Sequence, residues 1–197
     1  MMLYVAGGDI EPLRYAKGCL DILHEGTPGN GVVNSSQLDS LTRHFDEMRQ
    51  LLGDIPMLPQ MLPCFPNNGL NTEPTIDGYY HPKLVAVTNL IGVLATRGGG
   101  MEHWLIPIAY SAGAPYYLGE SNRLIATFED FFTKGERHDD LVSTNNPCGK
   151  VVVLTRGKDR LILAFNDKAT PQRVRLTQKD CRSNARAHLY FENKSFP

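Results

Sequence analysis

The chain has 197 residues, enough for one domain or for a large and a small one, each with its own core. With 42% hydrophobic and 21% charged residues its composition is ordinary for a globular protein, and a net charge of -1 gives no general electrostatic case for binding nucleic acid or a membrane. The charge is unevenly spread: residues 1–146 carry 9 Lys/Arg against 17 Asp/Glu, net -8, and residues 147–197 carry 11 against 4, net +7. The change falls at Asn145-Asn146-Pro147 and predicts a boundary there.

Met2 to Ala6 is a short apolar run before Gly-Gly-Asp, the pattern of a strand and its exit loop. Residues 12–18 suggest a helical turn, and residues 19–24 a second strand with Asp21, His24 and Glu25 around its C-terminal end. After a Gly- and Pro-rich loop, Ser35 or Ser36 is a credible N-cap. Leu38, Leu41, Phe45, Met48 and Leu52 then recur at spacings of three and four, one apolar helical face that Gly53 closes. Residues 55–65 are apolar but hold Pro56, Pro59 and Pro63, which exclude a helix and leave a short, irregular strand. Residues 66–78, with Asn67 at their start, read as a long polar loop.

His81-Pro82 opens a second helix, buried through Leu84, Val87, Ile91 and Leu94 and ended by Gly98. Residues 101–106 form a strand that places Glu102, His103 and Trp104, the chain's one tryptophan, near its end. Residues 109–119 read as a loop with Tyr110, Tyr116 and Tyr117. Ser121-Asn122 would cap a helix with Leu124, Phe128, Phe131 and Phe132 on one side. Beyond the charge boundary, Lys150 to Thr155 and Arg160 to Phe165 flank an Arg-Gly-Lys-Asp turn as a β-hairpin. Residues 172–177 and 187–191 supply two more strands.

The fold class expected is therefore α/β: a partial (β/α) barrel over residues 1–146, then a small antiparallel β-sandwich-like module over 147–197. The chain stops straight after a strand, so that module is expected to be truncated. This order of elements resembles the last part of a (β/α)8-barrel glycoside hydrolase with an appended C-terminal β-sandwich. The segment from His81 through the glycine turn to Trp104 looks like its eighth strand and preceding helix, residues 55–62 like the seventh strand, and residues 19–24 like the sixth. Residues 151–177 are similar to the first strands of the sandwich. The resemblance implies a carbohydrate substrate and a Trp104 that stacks on a sugar ring. Retaining members carry a nucleophilic glutamate at the end of the seventh strand; here residues 60–65 hold no carboxylate before Glu73, and Gln60 stands in that region.

Glycosidic cleavage needs two carboxyls, one protonated and one ionised. Glu102 beside Trp104 is the first candidate, with Glu73, Asp77, Asp21 and Glu25 behind it. Gln60, Asn67, Tyr79, Tyr80 and Trp104 are the expected sugar-binding residues. The alternative is a non-catalytic carbohydrate-binding or structural protein without the second carboxylate. No cofactor and no metal are expected: His24, His81 and His103 lack zinc-helix spacing, and Cys19, Cys64, Cys148 and Cys181 form no C-x-x-C pair. Gly98-Gly99-Gly100 lacks the Lys-Ser/Thr of a phosphate loop. Arg173, Arg175, Arg182 and Arg186 read as a solvated face, so the partner expected is a carbohydrate, not nucleic acid or a membrane, with oligomeric state open. No apolar run approaches the ~20 residues of a membrane span, and the N-terminus has no basic leader region, which leaves localisation open.

Overall fold

Strand and helix alternate through the first two thirds of the chain, and the computed structural model is accordingly mixed α/β. The structure describes residues 2–6, 11–26, 34–61, 84–103, 113–146, 149–168, 170–180, 186–189 and 194–196. Strands β1 (Met2–Ala6), β2 (Ile22–Gly26), β3 (Met57–Met61) and β4 (Glu102–His103) make one parallel sheet in the order β1-β2-β3-β4. A 3-10 turn at Glu11–Ala16 follows β1, helix α1 (Leu38–Leu52) follows β2, and helix α2 (Leu84–Ala95) follows β3. Each strand pairs with its sequence neighbour, so the order never reverses as it does in a doubly wound sheet.

The second strand lies three residues later than expected. Cys19 is exposed in the turn after the 3-10 segment, its N–H bonded to the Ala16 carbonyl at 2.9 Å, and Asp21 precedes the strand. Asp21 is therefore at the N-terminal end of the sheet, not at the C-terminal end. Pro59 is held inside β3, opposite Glu25. Its missing N–H is tolerated because pairing with β4 begins only at the next residue, Gln60.

Helix α1 buries the face its spacing predicts: Leu38, Leu41, Phe45, Met48 and Leu52. Its N-terminus differs from expectation. Asn34, not a serine, caps a 3-10 turn (Ser35–Gln37) leading into the helix. Its Oδ1 accepts from Ser36 N–H at 3.1 Å, and the Gln37 Oε1 accepts from Asn34 N–H at 3.0 Å. Gly53 ends the helix at φ 93°, a conformation that favours glycine.

Helix α2 packs against both α1 and helix α3 (Gly113–Thr127), so more than one stripe is buried. Ile91 is fully buried as expected, Val87 and Leu94 are half-buried, and Thr88, Asn89 and Thr96 join the interior. Asn89 Nδ2 donates to Ser121 Oγ and to Asn122 Oδ1, each at 2.8 Å. Ser121 and Asn122 are thus mid-helix groups facing a neighbour and not the cap expected of them. The helix begins at Gly113 instead, with Pro115 in its first turn, where a missing N–H costs no hydrogen bond. Phe128 interrupts the expected continuous face, and a separate helix α4 (Glu129–Lys134) carries Phe131 and Phe132.

Antiparallel structure starts at strand β5 (Glu136–Arg137), ahead of the charge boundary. It continues through β6 (Val142–Thr144), β7 (Val151–Arg156), β8 (Asp159–Ala164), β9 (Leu176–Gln178), β10 (Ala187–Leu189) and β11 (Lys194–Phe196). These form three small sheets, β5-β7-β8, β6-β9 and β10-β11. The expected hairpin is β7–β8, closed by Gly157-Lys158 with Gly157 at φ 60°.

The run Val151-Val152-Val153-Leu154 shows how this part is layered. Val152 and Leu154, with Leu161 and Leu163 of the partner strand and Phe165 just after it, join the large apolar cluster that holds Leu38, Phe45 and Met57. Val151 and Val153 face the other way and pack with Val142, Leu141 and Ile162. A strand covered on both faces loses the polar alternation of a half-exposed one, which explains the unbroken apolar run. The main core consequently crosses residue 146. Among the described residues no helix is long and apolar enough to cross a membrane.

Candidate functional site

Parallel strands deliver their C-terminal ends to one edge of the sheet, and in α/β proteins ligands are bound at that edge. The register there is Gly26 opposite Gln60, and Gln60 opposite Glu102. An amide and a carboxylate thus occupy neighbouring ladder positions on strands about 4.8 Å apart. Leu23 and Met57, also opposite one another, are fully buried against the helices. Gln60 is three residues beyond Met57, so the two-residue period puts it on the sheet face turned away from the helices. It is 8% exposed.

The glycine run sets where β4 enters this edge. Arg97, at φ 53°, and Gly98, at φ 89°, turn the chain out of α2, with Gly98 N–H bonded to Val93 O at 2.9 Å and Arg97 N–H to Leu94 O at 3.2 Å. A Cβ on Gly99 would stand 2.5 Å from the Met57 carbonyl oxygen, so this backbone passes directly against β3. The three glycines serve a close turn, which explains the run without any phosphate. Helix α1 braces the same turn: Arg49 Nη2 donates to Thr96 O at 2.5 Å, and the Asp46 carboxylate takes Arg49 at 3.0 Å and Arg97 at 2.9 Å.

Of the residues expected at the site, the structure brings Gln60 and Glu102 together. Trp104, Asn67, Tyr79, Tyr80, Glu73 and Asp77 lie outside the described residues, as do Tyr110 and His81. Glu25 is opposite Pro59, one ladder step out of phase with the Gln60–Glu102 pair, and His103 is opposite Met61. Asp21 is at the other end of β2, so it does not share an edge with Glu102. Tyr116 and Tyr117 are on α3 and not in a loop, edge to face at 5.2 Å, with Tyr116 exposed to 64%.

A second polar constellation, unmarked by any motif, ties the antiparallel part to α1. Ser35, fully buried, donates its hydroxyl to Asp167 Oδ2 at 2.5 Å and its N–H to Asp167 Oδ1 at 3.0 Å. The Ser35 hydroxyl oxygen accepts from Lys150 N–H at 2.7 Å. Nearby, Asp39 takes Lys150 Nζ at 2.5 Å and Arg137 at 2.7 Å, and Arg137 also holds Asp139 at 2.5 Å. Burial opposes the charge on Asp39, yet the Lys150 and Arg137 hydrogen bonds outweigh it and hold the carboxyl below its ordinary value. Arg137 is likewise penalised by burial but raised overall by Asp139 and Asp39. Both cations here are paired with carboxylates, so the cluster works as a clasp between α1 and the antiparallel part. The shallow groove beside it along α1 is lined by the same Asp39 and Arg137. Compared with known protein families, curated proteins and solved structures, the chain matches none of them.

Proposed function

We propose that the chain is part of a carbohydrate-active protein of glycoside hydrolase type, a partial (β/α) barrel that takes a glycan at the C-terminal edge of its parallel sheet. The observation that carries this reading is the in-register placement of Gln60 and Glu102 at that edge, on sequentially ordered parallel strands. Trp104 follows Glu102 by two residues and supplies an indole face for the C–H surface of a pyranose. Gln60 supplies an amide that both donates to and accepts from sugar hydroxyls. In the hydrolytic reading Glu102 is the carboxyl that protonates the departing glycosidic oxygen, while a second, ionised carboxylate acts on the opposite side.

Gln60 itself favours a second reading. A neutral amide beside Glu102 cannot attack or deprotonate, so a non-catalytic glycan-binding role uses the same edge without bond cleavage. The two separate on one experiment. Glu102→Gln should abolish hydrolysis of an aryl glycoside panel while leaving oligosaccharide affinity within a few-fold. Glycan binding by the wild type with no hydrolysis by either form assigns the non-catalytic role. Absence of glycan binding altogether refutes both.

A further inference from the structure

Many cations of this chain are held in ion pairs, and three exposed ones that are not lie close together. Arg14, Arg49, Arg97, Arg123, Lys134, Arg137, Lys150 and Arg156 are each bound to a carboxylate. Arg173, Arg175 and Lys179 have no ion pair among the described residues, and all three are exposed. They sit on one stretch of chain. Strand β9 pairs with β6 at Thr144–Leu176, Ser143–Thr177 and Val142–Gln178. The ladder runs on at both ends, through Asn145 N–H to Arg175 O at 3.4 Å and Lys179 N–H to Leu141 O at 2.8 Å.

Arg175, Thr177 and Lys179 therefore share one face of this ribbon, spaced about 7 Å apart by the two-residue period. Val142, opposite Gln178 on the alternate face, is buried in the interior. The Arg175–Lys179 face is exposed along β9, as are Leu176 and Gln178 on the alternate face. The cross-strand neighbours of the Arg175–Lys179 face, Asn145 and Ser143, are neutral hydrogen-bonding groups, and Leu141 beside Lys179 packs with Val142 and Val153. Arg173, two residues before Arg175 and outside the paired strand, is also exposed. The Arg160 guanidinium, bonded to the Lys179 carbonyl at 2.8 Å, adds positive charge at the other end. Asp180, also exposed, is an acid next to Lys179. Charge segregation reinforces this: the last 51 residues carry net +7 and the rest net -8, so a polyanion is drawn to this end of the chain.

We propose that the exposed cations along and beside β9, Arg173, Arg175 and Lys179, are a docking surface for an acidic polysaccharide, a polymer of uronate or sulfated sugars. Cations at 173, 175 and 179 among hydroxyl and amide neighbours suit a polymer that carries both carboxylates and hydroxyls. Single-stranded nucleic acid would also match the charges, but it is held by aromatic stacking as well, and residues 172–180 contain no aromatic side chain. The choice of a glycan as the polyanion rests on the carbohydrate reading above. The surface is separate from the Gln60–Glu102 edge and anchors the polymer without cleaving it.

The test is binding of polygalacturonate, dextran and an oligo-dT strand to the full chain at several salt concentrations, with the Arg173→Ser, Arg175→Ser, Lys179→Ser triple variant alongside. Polygalacturonate should bind and dextran should not bind this surface. The triple variant should lose about tenfold or more in affinity, and its slope of log K against log salt should fall by about 2 to 3. Because all three side chains are exposed, the thermal midpoint should be unchanged. No salt-dependent binding of polygalacturonate, or equal binding by the triple variant, overturns the proposal, and tighter binding of oligo-dT through the same residues assigns the surface to nucleic acid instead. A neutral oligosaccharide that still perturbs Trp104 in the triple variant separates failure here from failure of the sheet-edge reading.

Discussion

Replacing Gly99 by alanine tests how the glycine turn positions the candidate site. The new Cβ would stand 2.5 Å from the Met57 carbonyl oxygen, 3.2 Å from Met57 N and 3.2 Å from Thr96 Cβ. Ordinary contact begins near 3.4 Å, so about 0.9 Å must be found. The first obstacle is backbone at the first residue of a paired strand, which cannot swing aside as a side-chain tip would. Overpacking of this kind costs ~1–3 kcal/mol, and the rigidity of Met57 places Gly99→Ala in the upper half of that range. For a chain of this size each kcal/mol moves the thermal midpoint by about 2–4 °C, so a fall of roughly 4–12 °C is expected. Displacing β4 from β3 also moves Glu102 away from Gln60, so glycan affinity should fall with stability. Urea denaturation and thermal melting of the two proteins give the answer. A change below about 0.5 kcal/mol would refute the close passage of the glycine turn against β3.

Two further perturbations probe the clasp between α1 and the antiparallel part. Ser35→Ala removes the hydroxyl that bonds Asp167 and Lys150 N–H in a fully buried position, and should cost ~1–3 kcal/mol in urea denaturation; an unchanged midpoint contradicts the clasp. Asp39, whose carboxyl is held below its ordinary value, contributes stability that is fully present above the unfolded pKa of about 3.9 and is lost as pH falls through the lower folded value. The wild type should therefore exceed Asp39→Asn near neutrality, with the margin closing below about pH 4. Asp39 is 55% exposed, so the margin is no more than ~1 kcal/mol. Denaturation midpoints at pH 6 and pH 3 measure it, and a margin independent of pH counts against the ion pairs.

Where one element carries its own pattern, the sequence was legible. The buried face of α1 matches its spacing of three and four residue for residue, because a single helix lying on a sheet needs one stripe. The β7–β8 hairpin was equally plain, since two apolar runs flank a glycine turn. The misreadings arise where distant partners decide. Ser35 looked like a cap, but its hydroxyl is claimed by Asp167, 132 residues away, and Asn34 caps in its place. Ser121 and Asn122 looked like a helix start because polar groups favour caps, whereas they serve the buried Asn89. Strands β5 and β6 are two and three residues long and were missed, since so short a segment has no periodicity of its own. At the site, the register that joins Gln60 to Glu102 depends on tertiary pairing across 41 intervening residues. Residue types alone could propose both but could not place them side by side.

The chain has one tryptophan, so its fluorescence reports on Trp104 alone. Titration with a panel of neutral and acidic oligosaccharides, followed by tryptophan emission, tests the sugar-binding edge most directly. A saturable change in intensity or wavelength with at least one glycan, weakened by Gln60→Ala, is the expected result. An emission spectrum that no glycan alters would contradict a glycan site at the end of β4.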